Sequence, residues 1–336
     1  MKQKRDITLI AFGVVLLFLI SACEGGGDVI GGAPTTPFLE GSQGLVIAFL
    51  EGSPPEEVTD GDTFPFQVIV TLKNEGEHKF GALSDIKIDL IGFAPSDFRS
   101  DPTDFTDADL QDISPTEIPT PRERDSEGNI IEGIETFIEF PKTGVNFNFK
   151  DSLAGNTVFI FRADVCYKYN TTAVSEICVL ENLVDVSDDS ICDPSETKRV
   201  FSSGSPVGVT AFRQNVAGTD KIQFSFDIMH SGSGDVFDPA TAANCPKDPS
   251  TRRANEDDVR VEVDTGLTTT LNCGGLIAVG TKQIGTVKLV NGKRTITCTQ
   301  DLADPRTDFI KSVDITVDFN YLDNVDKEIL VKHLIS

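Results

Sequence analysis

Apolar and polar residues alternate with a period of two along most of this chain, and this pattern constrains the fold more than any other feature. It starts near Leu45 and recurs up to the C-terminal region, for example at residues 66–72, 86–90, 222–226, 259–263 and 313–319. Successive side chains of a β-strand point to opposite faces, so this period predicts strands with one buried face. No long stretch has the 3.6-residue period of an amphipathic helix. The sequence therefore predicts an all-β protein.

A tight turn is predicted near the C-terminal end. Asn291-Gly292 separates two alternating stretches, residues 287–290 and 294–297. Asn-Gly is the pair best suited to the two left-handed positions of a type I′ turn. We therefore expect a β-hairpin there.

The strand pattern occurs twice in the same order. The first copy has strands at 45–49 and 66–72, and the second has strands at 207–212 and 222–228. Tyr169 and Tyr321, which are 152 residues apart, are each followed at the same spacing by two apolar residues: Ile177 and Val179, or Ile329 and Val331. About seven short strands per copy are typical of an immunoglobulin-like sandwich. We predict two tandem sandwiches, residues 44–184 and 205–336, joined by a linker at 185–204.

One short segment resembles a known family. The string Val68-Ile69-Val70-Thr71-Leu72-Lys73-Asn74-Glu75-Gly76 resembles the strand edge of CARDB-type and related Ig-like modules of prokaryotic cell surfaces. The second copy departs from it, since His230-Ser231-Gly232 stands where the family pattern has Asn. The resemblance implies an adhesion, spacer or protein-binding module and brings no catalytic residues.

The N-terminus has the organisation of an export signal. Three basic residues precede an apolar stretch of 14 residues, 7–20, which is shorter than the roughly 20 residues of a membrane-spanning helix. Ile20-Ser21-Ala22-Cys23 resembles the lipobox of prokaryotic lipoproteins, which implies a signal helix cleaved after residue 22 and a lipid anchor on Cys23. Residues 23–43 are rich in Gly, Pro and Thr, and predict a flexible tether.

The charge excludes one class of partner. Removing residues 1–22, with three basic and one acidic side chain, takes the net charge from −24 to −26. Nucleic-acid binding requires clustered Lys and Arg, which here are scattered, so no nucleic-acid partner is expected. Attachment to the membrane is expected through the acyl anchor alone.

Six cysteines remain after the anchor, an even number that predicts disulfides in an exported protein. A hairpin tip at Asn170-Thr171-Thr172 would place Cys166 opposite Cys178, which predicts that pair. Cys273 and Cys298 flank the Asn291-Gly292 hairpin and are expected to join neighbouring strands. The remaining pair would be Cys192 with Cys245.

Acidic residues gather at the predicted linker. Asp185, Asp188, Asp189 and Asp193 offer carboxylate oxygens of the kind that calcium binds, although the EF-hand pattern is absent. A solvated acidic loop is the alternative. No other cofactor is expected.

Catalytic motifs are absent from the sequence. It contains no Gly-x-Ser-x-Gly, His-Glu-x-x-His, phosphate-binding loop or Cys-x-x-Cys, and its three histidines are far apart. We therefore expect a lipid-anchored, non-enzymatic binding or structural protein of the cell surface or periplasm that contacts another envelope protein. Its binding surface is expected at edge strands, end loops or the Pro-containing insertion at 96–129. An envelope polysaccharide hydrolase and a solute-binding lipoprotein are the alternatives.

Overall fold

The computed structural model describes residues 36–187, 189–241 and 244–334, and almost all regular structure there is β. The helical elements are the helix α1 (Pro249–Asn255) and 3₁₀ turns at Leu83–Asp85, Pro95–Phe98 and Asp107–Asp109. The predicted all-β fold is confirmed. The strands are β1 (Leu45–Phe49), β2 (Glu57–Thr59), β3 (Val68–Asn74), β4 (Ile86–Ile91), β5 (Glu123–Arg124), β6 (Ile130–Ile131), β7 (Glu135–Phe140), β8 (Thr157–Val179), β9 (Phe201–Ser202), β10 (Val207–Gly218), β11 (Lys221–His230), β12 (Asp235–Phe237), β13 (Asp258–Asp264), β14 (Leu271–Cys273), β15 (Ile277–Val279), β16 (Lys282–Lys288), β17 (Lys293–Asp301) and β18 (Phe309–Lys332).

One large sheet is shared by the two halves of the chain. Its main strands lie in the order β15-β16-β13-β18-β8-β4, and β2, β9 and β12 attach to the long strands. The first half adds a three-stranded sheet, β1-β3-β7, and the second half a four-stranded sheet, β10-β11-β17-β14. Residues 36–336 form one compact unit. The boundaries of the two predicted sandwiches stay a prediction, but their last strands are joined in a single sheet.

The two long strands pair around a local two-fold centre. β8 and β18 run antiparallel, with Lys168 opposite Asn320, and these two residues are 152 positions apart, the spacing of the sequence repeat. β4 pairs with the first part of β8, and β13 pairs with the corresponding part of β18. The pairing therefore supports the duplication that the sequence predicts.

Each long strand continues from its own half into the other. Beyond Tyr169, β8 pairs with β9 and contacts β10: the Thr171 hydroxyl donates to the carbonyl of Val207, and the Gln214 side chain bonds both the N–H and the carbonyl of Cys178. Conversely, the end of β18 pairs in parallel with β2 of the first half. The two halves are thus intertwined.

The predicted hairpin tip at Asn170-Thr171-Thr172 is wrong, because β8 continues through these residues. Thr171 and Ser175 are buried although they are polar. Their hydroxyl groups donate to carbonyls of the second half, those of Val207 and Arg199, so burial leaves no polar group of theirs unsatisfied.

Two of the three predicted disulfide pairs are also wrong. The bonds are Cys166–Cys245, Cys178–Cys192 and Cys273–Cys298, so only the last pair is confirmed. Cys166 and Cys178 lie on one continuous strand, 12 residues apart, which is about 40 Å at 3.3 Å per residue. Each instead fastens a loop to the outer face of β8.

Two tyrosines occupy equivalent buried positions in the two halves. The hydroxyl of Tyr169 bonds the carbonyl of Gly204 and the Asn74 side chain, and the hydroxyl of Tyr321 contacts His230 Nε2 at 3.1 Å. Asn74 and His230 end the equivalent strands β3 and β11. Burial raises the pKa of Tyr321 to about 12, so this phenol is a neutral structural group at ordinary pH.

Phenylalanines fill the core of the first half. Phe161 of β8 lies within 6.2 Å, between ring centroids, of four other rings, those of Phe66, Phe93, Phe98 and Phe147. Phe98 belongs to the insertion at 96–129, so this insertion contributes to the core.

The predicted turn at Asn291-Gly292 is confirmed, but the β-hairpin is wrong, because only Val290 and Lys293 pair across the turn and β16 and β17 then enter different sheets. Both residues have positive φ angles, 53° and 72°, as a type I′ turn requires.

A buried carboxylate fastens the end of β18 to the first half. Asp60, which is 2% exposed, accepts hydrogen bonds from the N–H groups of Leu153 and Leu334 and from His333 Nδ1, at 2.8 to 3.0 Å. The backbone bond from Leu334, followed by the bonds from His333 and Leu153, lowers the pKa of Asp60 to about 2.

We expect this carboxylate to contribute stability above pH ~4, the pKa of an aspartate in an unfolded chain. The contribution is lost as pH falls from about 4 through the folded pKa of about 2. Asp60→Asn replaces an acceptor oxygen by an NH₂ group facing N–H donors. It should lower the melting temperature at pH 7, and the difference from wild type should shrink towards pH 2. Asp314→Asn, at an exposed position of β18, is the control. A difference independent of pH would contradict the assignment.

Candidate functional site

A cleft of about 600 Å³ lies on the outer face of the large sheet. Its floor consists of outward-facing residues of β4, β8 and β18, and its wall is the loop that precedes α1. The Cys166–Cys245 disulfide fastens this loop to β8. The lining residues are Lys87, Asp89, Ile91, Gln111, Asp112, Asp164, Cys166, Asn244, Cys245, Pro246, Lys247, Arg252 and Leu322.

Most charged groups of the cleft form ion pairs with one another or with neighbours, whereas Lys87 donates to the hydroxyl of Ser114 and the carbonyl of Asp112. Lys247 Nζ lies 2.7 Å from Asp89 and 3.7 Å from Asp112, and Asp164 pairs with Arg162 at 2.6 Å. Burial lowers the pKa of Lys247, but the hydrogen bond to Asp89 and the charges of both aspartates raise it overall. A charged ligand that binds Asp89, Asp164 or Lys247 would therefore have to displace an existing ion pair.

The cleft bears on both alternatives from the sequence. A glycosidase needs two carboxyl groups, one of which holds a proton for the leaving group. Asp89 and Asp112 do approach each other in a cleft, but both serve as counter-ions of Lys247. A solute receptor needs a largely apolar cleft with a few polar groups. This cleft lies between residues of both halves, and six of its thirteen lining residues are charged.

The predicted calcium ligands do not converge in the described part of the chain. Asp185, Asp189 and Asp193 are exposed, and Asp193 accepts a hydrogen bond from the N–H of Ser195. Asp188 lies outside the described residues. No group of three or more His, Cys, Asp or Glu residues suited to a metal ion occurs among the residues described. Calcium binding stays a prediction.

The insertion at 96–129 covers the outer edge of β4. The N–H of Leu90 donates to the carbonyl of Leu110, and Ile88 and Ile113 exchange two backbone hydrogen bonds. Phe98, Phe105, Leu110 and Ile113 are buried. Much of the insertion is therefore structural, while its aspartates face solvent.

Exposed apolar residues cluster immediately after this insertion. Ile130, Ile131, Ile134 and Phe137 are 49%, 53%, 58% and 47% exposed. Ile130 and Ile131 form β6, and Phe137 lies on the solvent face of β7, an edge strand. We call residues 130–137 the apolar segment. Singly exposed apolar residues are ordinary on a protein surface, but a group of them marks a candidate interaction site.

The position of Phe137 in the alternating pattern of β7 is a sequence signal for this site. In β7 the alternating set Thr136, Ile138 and Phe140 is buried, so the apolar Phe137 falls in the polar phase. A large apolar residue in the solvent-facing phase of a strand is the feature that indicates a possible interaction surface.

The predicted lipid anchor Cys23 and the whole signal segment lie outside the described residues. Within the residues described, no helix is both long enough and apolar enough to cross a membrane. The three disulfides indicate an oxidising, extracytoplasmic environment.

Comparison with known proteins gives no relative from which a function could be transferred. No protein-family model matches the chain, and no curated protein matches it.

Proposed function

We propose that this protein is a lipid-anchored, extracytoplasmic binding or structural protein that acts without catalysis and contacts another protein of the envelope or cell surface. The anchor is the acylated Cys23 expected from the lipobox resemblance. The disulfides support a location outside the cytoplasm. The net charge of −24 supports solubility of the body next to an anionic membrane rather than adhesion to it.

The apolar segment is the observation that carries this proposal. The centres of protein interfaces are enriched in large apolar side chains, aromatic ones above all, and contain few charged residues. Phe137 stands on a rigid support, because its strand β7 pairs with β3 along its whole length, and Ile134 directly precedes this strand. A rigid apolar surface binds with little loss of conformational entropy.

Polysaccharide or solute binding in the cleft is the second candidate. The cleft volume of about 600 Å³ and the proximity of Asp89 and Asp112 to Lys247 favour it. A volume of this size suits a small ligand. We place it second because most of the cleft's charged groups are already in ion pairs.

Cross-linking in native envelopes tests the first proposal. We expect the wild-type protein to cross-link reproducibly to one or a few neighbours, and Ile131→Glu with Ile134→Glu to lose them, because charges oppose apolar contact. The matched control is Ile277→Glu with Val279→Glu, since Ile277 and Val279 are exposed to a similar degree on β15 of the second half. Equal cross-linking by all three proteins would contradict the proposal.

A further inference from the structure

The backbone of β7 has a free edge, and the direction of its hydrogen-bonding groups follows from the neighbouring strands. The N–H of Leu50 donates to the carbonyl of Ile69, so the polar backbone groups of Ile69 face β1. The adjacent residue Val70 therefore faces β7, where it is opposite Ile138. Successive residues of an antiparallel strand direct these groups to opposite sides.

Glu135, Phe137 and Glu139 consequently direct their N–H and carbonyl groups away from β3. Among the described residues, no hydrogen bond from outside the sheet reaches the backbone of these three positions. Their side chains are also exposed. The edge thus offers both backbone groups and side chains to a further strand.

The second half provides an internal comparison, because β17 occupies the place that β7 has in the first half. Lys293, Thr295 and Thr297 stand where β7 has Glu135, Phe137 and Glu139. The N–H of Lys293 donates to Val290, and the carbonyl of Thr297 accepts from Gly274.

Only Thr295 remains between these two occupied positions of β17. Charged side chains, lysine above all, and a short exposed length keep edge strands from pairing. The edge of β7 also carries charged side chains, Glu135 and Glu139, but among the described residues it has no lysine, no backbone hydrogen bond from outside the sheet and an exposed Phe137 at its centre. The difference between the two edges therefore points to a specific occupant at β7.

The charges at the edge indicate what the occupant carries. Phe137 is flanked on the solvent face by two exposed carboxylates, Glu135 and Glu139. Directly opposite positions of paired strands favour apolar contacts and opposite charges. A second copy of this chain is disfavoured, because centring two β7 strands on Phe137 would set Glu135 opposite Glu139, and because each copy carries a net charge of −24.

We propose that β7 binds an extended segment of a partner protein as an added antiparallel strand, and that this segment carries an apolar residue flanked at alternate positions by Lys or Arg. The backbone of Glu135, Phe137 and Glu139 supplies the affinity, and the side chains of these residues supply the selectivity. This inference rests on the proposed function and names its site and the class of segment recognised.

The peptide Thr-Lys-Thr-Val-Thr-Lys-Thr, blocked at both ends, is the probe. It places both lysines and the valine on one face. We expect it to protect the amides of Glu135, Phe137 and Glu139 from hydrogen exchange in the whole protein, and to leave the amide of Thr295 unprotected. When the free peptide concentration is about ten times its dissociation constant, exchange at these amides should slow about tenfold, because only the unbound fraction of the protein exchanges.

Two control peptides separate the backbone and charge contributions. One has Glu in place of Lys, and the other is N-methylated at alternate amides so that it cannot form the ladder. Neither should protect the β7 amides. Protection by the N-methylated peptide, or no protection by the Lys peptide, overturns the proposal.

Variants of Phe137 test the same point from the protein side. Phe137→Ala removes the apolar contact and keeps the N–H, whereas Phe137→Pro also removes an N–H that no neighbouring strand uses. We expect weaker binding of the Lys peptide by the first and none by the second. Equal binding by the two variants, both folded, would also overturn the proposal.

Failure of this inference can be told from failure of the proposed function. If the Lys peptide leaves β7 unprotected while Ile131→Glu with Ile134→Glu still abolishes envelope cross-links, strand addition is wrong and the interaction surface remains. If the Lys peptide leaves β7 unprotected and the double substitution also leaves the envelope cross-links unchanged, the proposed function fails as well.

Discussion

Neither half of this protein is expected to fold alone. Fragments 36–195 and 196–336, which keep Cys178 with Cys192 and Cys273 with Cys298, should each lack a cooperative thermal transition. In the first fragment, the part of β8 beyond Tyr169 loses the strands that cover it, and the end of β18 is missing beside β2. Circular dichroism and amide exchange measure the result.

The size of this effect follows from the residues of each half that are buried against the other half. Ala173, Ile177 and Val179 of β8, and Ile329 and Val331 of β18, are fully buried. Burial of each large aliphatic side chain contributes about 1.5–3 kcal/mol, and the whole stability of a domain is typically about 5–15 kcal/mol. Losing several such contacts is therefore enough to unfold either fragment.

Mixing the two fragments is the control. The first fragment then carries Cys166→Ser, the second carries Cys245→Ser, and the intact chain carries both substitutions. The mixture should recover the spectrum and the thermal transition of this intact variant. Two fragments that each melt cooperatively as monomers would show that the halves are independent tandem domains, as the sequence alone suggests.

The sequence predicts the local elements of this fold better than their partners. The period-two alternation identifies β3, β4, β11, β13 and β18, and Asn291-Gly292 identifies a tight turn, because both signals lie within a few residues. The sequence does not show that β16 and β17, on either side of this turn, enter different sheets. The pairing of β8 with β18 joins residues about 150 positions apart. Local patterning does not specify such a register.

Thr171 and Ser175 show why the sequence predicts a hairpin tip where the long strand β8 continues. Small polar residues between apolar ones favour turns. Here they are buried and satisfied by carbonyls of Val207 and Arg199, which belong to the other half. The two wrong disulfide pairs follow from this misreading, since the predicted tip alone brought Cys166 near Cys178.

The candidate binding edge could be predicted only in part. The sequence favours edge strands as binding places in general, and Phe137 stands out once the buried phase of β7 is known. Which strand has an uncovered edge depends on tertiary contacts, such as the bond between Lys293 and Val290 that covers part of β17. The exposure of Ile130, Ile131 and Ile134 likewise depends on how the insertion packs over β4.

The two tyrosine positions also depend on glycines that the sequence marks only as turns. A Cβ at Gly76 would collide with the Tyr169 hydroxyl and lie 2.6 Å from the carbonyl oxygens of Gln43 and Gly204. A Cβ at Gly232 would collide with the Tyr321 hydroxyl and lie 2.8 Å from Pro206 Cβ. The absence of a side chain at both turns thus lets each buried tyrosine bond the end of its neighbouring sheet.

We expect Gly76→Ala to destabilise the protein by about 3 kcal/mol or more, the upper range for overpacking at a site that cannot relax. For the unit of residues 36–336, with an unfolding entropy of about 2.1 cal/mol/K per residue, that is a fall of roughly 5 °C in melting temperature. Gly155→Ala, with no atom within 4 Å of the added Cβ, is the control and should change little.

Gly232→Ala should also be strongly destabilising. Tyr321→Phe should relieve more of the destabilisation by Gly232→Ala than Tyr169→Phe relieves of the destabilisation by Gly76→Ala. The reason is that deleting the hydroxyl leaves the two carbonyl oxygens facing Gly76 in place, whereas at Gly232 the hydroxyl is the main obstacle. Equal rescue at the two sites in a double-mutant cycle would contradict this assignment.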